Sequence, residues 1–71
     1  MSDHKDDQAQ TRLALAALTA CIAQTLGEQD TTFVPRLRAN LEKTYYHLRD
    51  SGTDALGTLE TIRNVEELLK P

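Results

Sequence analysis

The sequence has one cysteine, no tryptophan and only three aromatic residues among its 71 positions. One cysteine excludes a disulfide within the chain, and two widely separated histidines leave too few ligands for a structural zinc ion. The lone thiol, with no basic and apolar leader, predicts a reducing, cytoplasmic location. No apolar run approaches the ~20 residues that span a bilayer. Because so short a chain is marginally stable alone, association is the remaining way to add stability.

The residues that carry catalysis or bind phosphate are also scarce. The net charge of −3 argues against nucleic acid as the main ligand, because phosphate binding needs a basic surplus or patch. The sequence has no glycine-rich phosphate loop and no serine or cysteine nucleophile placed near a histidine in a recognisable order. We therefore expect no enzymatic activity, no cofactor and no bound metal. A protein partner is the class that remains.

Three segments have helical periodicity, and short turns separate them. Alanine and leucine are abundant and β-branched runs are missing, which favours helix over strand. The predicted helices cover residues 8–26, 33–50 and 54–70. Residues 1–8 are predicted to be a disordered acidic tail. Residues 9–71 are predicted to be a single all-α domain, a three-helix antiparallel bundle with short loops.

Several residues mark where these helices begin and end. Gly27 is predicted to cap the end of the first helix. Pro35 fits the first turn of the second helix, and Gly52 ends that helix. Thr53 is predicted to cap the third helix, which stops at Pro71. The capping candidates before the second helix are Asp30, Thr31 and Thr32.

The first predicted helix is apolar nearly all round, which is typical of a helix that is buried on all sides. Its larger side chains are expected to pack on the other two helices: Leu15, Leu18, Ile22 and Leu26. The small side chains opposite are expected to form the seam of a homodimer with this helix at its centre. The predicted interface residues are Leu13, Ala16, Ala17, Ala20 and Cys21. The alternative is that alanine is a good helix former that tolerates exposure.

The other two helices each have a single apolar face. In the second helix the inward face is predicted to contain Phe33, Val34, Leu37, Leu41, Tyr45 and Leu48. In the third helix it is predicted to contain Ala55, Leu59, Ile62, Val65 and Leu69. Leu68 lies well off that face, and Leu56 lies at its margin. An off-face leucine is a candidate for contact with a partner.

The stretch YYHLRDSG, residues 45–52, combines more reactive side-chain types than any other. Successive helical residues point about 100° apart, so Tyr46 lies on a different face from Tyr45. Tyr46 and the small Ala39 share that outer face, and exposed tyrosines are common interface anchors. The predicted partner-binding residues are therefore Ala39, Tyr46 and Leu68.

These features favour a small cytoplasmic protein–protein interaction or regulatory module that acts as a homodimer. One alternative is a nucleic-acid-binding regulator that uses the basic residues of the second helix: Arg36, Arg38, Lys43 and Arg49. A second alternative is histidine chemistry. His47 would accept a phosphoryl group, or His4 would bind Cu(II) or Ni(II) with the amino terminus.

Overall fold

The computed structural model describes the backbone of residues 4–52 and 56–71, and the side chains of these ranges from residue 7 onward. Three helices are present, as predicted: α1 (His4–Gly27), α2 (Phe33–Asp50) and α3 (Leu56–Leu68). The bounds of α2 agree with the predicted ones. α1 begins four residues earlier than expected, and so includes much of the segment predicted to be a tail. The predicted Thr53 cap lies outside the described residues.

The turn between α1 and α2 is organised by one carboxylate. The Asp30 side chain accepts hydrogen bonds from both the backbone N–H and the hydroxyl of Thr32. It also pairs with the Arg36 guanidinium at 2.8 Å. The hydrogen bonds from Thr32 lower the pKa of Asp30. Thr32 occupies the N-cap position of α2 but makes no side-chain capping bond there, so Asp30 fixes the entry to the helix.

α2 ends as the sequence predicts. The backbone of Gly52 has a positive φ of 77°. This value lies in the left-handed region, which glycine adopts without strain. Gly27 works differently at the end of α1. A Cβ placed on Gly27 would lie 3.0 Å from the Cγ2 atom of Val34, so glycine there lets α2 approach α1 closely.

The core lies where all three helices meet, and α1 contributes only small side chains to it. Ala16, Ala20 and Ala23 of α1 are at most 4% exposed, and they pack with Val65 of α3 and with Leu69, which directly follows α3. The α2 residues packed against this cluster are Phe33, Val34, Leu37 and Leu41. The predicted inward faces of α2 and α3 are therefore confirmed for the described residues that form this core.

The faces of α1 are the reverse of those expected. Leu15, Leu18, Ile22 and Leu26 were predicted to pack on the other helices, but they point away from the core. Ala16 and Ala20 were predicted to lie in a dimer seam, but they are buried within the single chain. The physical reason is space. α2 and α3 both present large side chains, and only small ones on α1 let three helices share one narrow core.

α1 and α3 run in the same direction. Arg12, early in α1, pairs with Glu60, early in α3, at 3.5 Å. Gln24, late in α1, donates a hydrogen bond to the carbonyl of Leu68 at the end of α3. The molecule measures 43 × 31 × 15 Å. The shared core covers one side of α1 and leaves the side that carries Leu18 and Ile22 bare.

Candidate protein-binding surface

The bare side of α1 is a continuous apolar stripe, here called the outer face. Its large side chains are Leu15, Leu18, Ile22 and Leu26. They are 48–63% exposed, whereas the alanines on the opposite side of the same helix are at most 4% exposed. At about 100° per residue, Leu18 lies about 160° from both Ala16 and Ala20, and Ile22 lies about 160° from Ala20. α1 therefore has two apolar sides, and only one of them is covered by the chain itself.

The polar groups beside the outer face are satisfied by the helix itself. The hydroxyls of Thr11, Thr19 and Thr25 each donate to the carbonyl oxygen four residues earlier, over 2.7–2.9 Å. A hydroxyl that is already bonded does not lose a water partner when its surroundings become dry. Covering the outer face would therefore leave these three hydroxyls with their hydrogen bonds intact.

Two shallow apolar grooves border the outer face, and Ile22 lines both. One has a volume of about 290 Å³ and lies along the end of α1, lined by Cys21, Ile22, Thr25 and Leu26. The other, of about 230 Å³, lies between α1 and α2, lined by Thr19, Ile22, Ala23, Phe33 and Leu37. The outer face thus has projecting side chains and recesses next to each other.

The chain as a whole exposes more surface than its mass requires. Its accessible surface is 5385 Å², and its mass is 7.9 kDa. A compact monomer of this mass would expose about 4,400 Å². The excess of about 1,000 Å² is similar to the area that each partner of a typical interface contributes, about 800 Å². The exposed leucine and isoleucine side chains of α1 contribute to this excess.

Of the five residues predicted for a dimer interface, three remain accessible. Leu13 is 55% exposed, and Ala17 and Cys21 are also exposed. Cys21 borders the outer face, since it lines the groove beside Leu26. By helical spacing, Leu13 lies about 180° and Ala17 about 140° from Ile22, so both are exposed away from the outer face. The predicted seam therefore does not exist as one surface.

Tyr46 is exposed, but it is held in a cluster that joins α2 to α3. Its ring meets the ring of Tyr45 edge-to-face, with centroids 5.4 Å apart. The Arg49 guanidinium lies 4.5 Å from the centre of the Tyr46 ring, and the Arg63 guanidinium of α3 lies 3.7 Å from that of Tyr45. A cation is attracted to the negative face of an aromatic ring, which favours this arrangement. Tyr46 thus contributes to the junction between two helices.

Two carboxylates complete this junction. Nη1 of Arg63 donates to Glu42 of α2 at 3.1 Å and to Glu66 of α3 at 3.0 Å. Burial raises the pKa of Glu66, and a hydrogen bond with Glu42 raises it further. The same hydrogen bond lowers the pKa of Glu42. Glu66 therefore takes up a proton at a higher pH than Glu42, whose ionised form is also favoured by Arg63.

The three predicted partner-binding residues do not form one site. Ala39 and Tyr46 are exposed on α2, and the Tyr46 ring lies 5.7 Å from the guanidinium of Arg63. Leu68 is 45% exposed on α3, beside Gln24 of α1. Each residue is exposed, but Leu68 lies about 140° round α3 from Arg63, whose guanidinium contacts the Tyr45 ring.

The basic residues of α2 are partly neutralised by neighbours. Arg36 pairs with Asp30, and Arg49 pairs with Asp50 at 3.0 Å. His47 is exposed beside this set. The alternative of metal binding at His4 rests on side chains outside the described part of the chain. Across the described residues there is no cluster of three or more His, Cys, Asp or Glu side chains placed to hold a metal ion.

No protein-family model, curated protein or solved structure matches this chain. Within residues 4–52 and 56–71, no helix has the length and apolar character to cross a membrane. The case for a function therefore rests on the physical character of the surface.

Sequence reasoning found the residues of the outer face but placed them on the wrong side. Side-chain volume was the feature of the sequence that indicates the correct side. Two helices with large inward side chains leave room only for alanine on the third, and the alanines of α1 recur at helical spacing. The junction of Arg63 with Glu42 and Glu66 was missed because it joins two helices. Helical spacing within one segment gives no information on such pairs.

Proposed function

We propose that this protein is a small interaction module, whose outer face on α1 binds another protein chain. The single observation that carries this proposal is the exposure of four large aliphatic side chains in one stripe of a helix whose other side contains the buried Ala16, Ala20 and Ala23. Contiguous apolar patches of this kind mark interaction sites on small proteins. The satisfied threonine hydroxyls support the proposal, because the face can be dried without leaving unmade hydrogen bonds.

The finer expectations from the sequence remain part of this proposal. We infer an antiparallel course for α2, a cytoplasmic location and action as a binding or regulatory protein without catalysis. The thiol of Cys21 is exposed, which is compatible with a reducing compartment. Ala39, Tyr46 and Leu68 stay candidates for additional contacts with a partner.

Photo-crosslinking in the cells that make the protein tests the proposal. A photoreactive amino acid replaces Leu18 on the outer face, or Lys43, which is exposed on α2. We expect a discrete crosslinked product from position 18 and none from position 43. Adding Leu15→Glu to the position-18 variant should abolish the product. Equal crosslinking at both positions, or none at position 18, would contradict a binding role for the outer face.

A further inference from the structure

We propose that the chain bound to the outer face is a second copy of this protein, with α1 packed on α1 across a two-fold axis. This inference rests on the proposed function and names its partner. A two-fold interface uses the same patch on both copies, so that patch must complement itself in charge, area and shape.

The charge of the outer face favours a copy of itself. From residue 13 to residue 27, α1 carries no charged side chain. A partner with acidic or basic groups at its centre would bury them with no counter-charge, which is costly. A second uncharged apolar helix of the same length buries none, and the chain supplies that helix itself.

The area of the outer face comes close to what a pair needs. Its four large side chains are 48–63% exposed. A fully exposed leucine or isoleucine offers roughly 200 Å² of surface, so these four leave about 450 Å² of apolar surface per copy. Two copies would cover about 900 Å² from these side chains alone. This maximum of about 900 Å² lies below the ~1,200 Å² of a standard interface, so these four side chains alone correspond to a weak dimer.

The shape of the outer face supplies both the projecting and the receiving part. Leu18 and Ile22 are the most exposed side chains of the stripe, at 63% each. The two grooves that share Ile22 have volumes of about 290 and 230 Å³. Both grooves are shallow and open, so each offers a recess against which an aliphatic side chain of a second copy can lie. Leu15, Leu18 and Ile22 also follow the three–four spacing of a helix-pairing seam.

Sedimentation equilibrium of the purified full chain tests this inference. We expect wild type to approach twice the chain mass at micromolar concentration. Ile22→Glu and Leu18→Glu should each raise the dimer dissociation constant by ~100-fold or more, since the dimer buries the added charge twice. Asn40→Glu adds the same charge to an exposed position on α2 and should leave the dimer intact. Unchanged helical circular dichroism would show that the variants fold.

Labelling of Cys21 gives a second readout that does not depend on mass. This thiol is exposed in the single chain and lines the groove at the end of α1. Its reaction with a maleimide should slow as the concentration of wild type rises through the dimer range. In Ile22→Glu the rate should not change with concentration. A wild-type rate that is also constant with concentration would overturn the inference.

The two proposals fail in different ways. A single-chain mass at all concentrations, or a dimer that survives both glutamate substitutions, overturns pairing through the outer face. If position 18 still gives a crosslink in cells to a different protein, the interaction function stands and only the identity of the partner changes. If the crosslinked product has twice the chain mass, the second copy is confirmed as the partner.

Discussion

The two sides of α1 are both apolar, yet they differ in size and in what covers them. The inner side presents Ala16, Ala20 and Ala23, which the other helices bury almost completely. The outer side presents leucine and isoleucine, which remain half to two-thirds exposed. In an isolated three-helix protein the larger side chains would be the better ones to bury, because they gain about 1.5–3 kcal/mol each on burial.

Packing space, rather than hydrophobicity, decides which side of α1 turns inward. Val65 of α3, the adjoining Leu69 and the large residues of α2 already fill the centre. Alanines let the α1 backbone come close enough to close that centre without voids. The large side chains of α1 are then free to serve a surface outside the chain.

The largest expected effect comes from removing a large side chain that faces this core. Leu69 is 4% exposed and its neighbour Leu68 is 45% exposed, so the pair offers a matched comparison. Leu69→Ala should lower the free energy of unfolding by about 2–4 kcal/mol, because it leaves a cavity beside the alanines of α1. Leu68→Ala should change it by less than about 0.5 kcal/mol. Chemical denaturation measures both changes. Similar losses of unfolding free energy would mean that Leu69 is not part of the core.

The next effect comes from enlarging the inner side of α1. Ala16→Leu adds a bulky group at a position with 0% exposure. It should cost about 1–3 kcal/mol of stability through overpacking. Ala14→Leu makes the same change at an exposed position, and should alter stability by about 0.5 kcal/mol or less. Alanine and leucine favour helix almost equally, so helix propensity does not confuse the comparison. Thermal or urea unfolding measures both variants. A larger loss of stability in Ala14→Leu than in Ala16→Leu would mean that Ala14, rather than Ala16, faces the core.

The sequence predicts the elements well and their mutual packing poorly. The periodic apolar stripes of α2 and α3 identify the inward residues of these helices, because a helix with a single apolar side can bury only that side in the core. α1 has two apolar sides, and periodicity cannot rank them. That is why Leu15, Leu18, Ile22 and Leu26 were assigned to the core. The contact of Arg63 with Glu42 and Glu66 depends on how two helices align, which neither segment encodes alone.

A smaller effect on stability is expected where Arg63 of α3 pairs with Glu42 of α2 and with Glu66. The folded chain raises the pKa of Glu66, so stability should increase as pH falls from neutral through that pKa. Glu42 has a lowered pKa, so its contribution should be lost as pH falls further. Glu66→Gln should remove the first dependence, and Glu67→Gln, on an exposed neighbour, should keep it. Urea unfolding across this pH range measures the difference between each variant and wild type. Identical pH profiles for wild type and Glu66→Gln would mean that the pKa of Glu66 is not raised in the folded chain.

The smallest effect tests whether the outer face is dry when it is bound. Thr25 is exposed and donates its hydroxyl to the carbonyl of Cys21 at 2.8 Å. Thr25→Val replaces that hydroxyl with a methyl group of similar shape, and should alter the stability of the single chain by about 0.5 kcal/mol or less. If the face is covered by another apolar helix, the added methyl should tighten association slightly, by up to about 0.8 kcal/mol for each copy. Sedimentation at several concentrations resolves such a shift. Weaker association would instead indicate that the hydroxyl contacts water or a polar group of the partner, and that the outer face is not dry at this position.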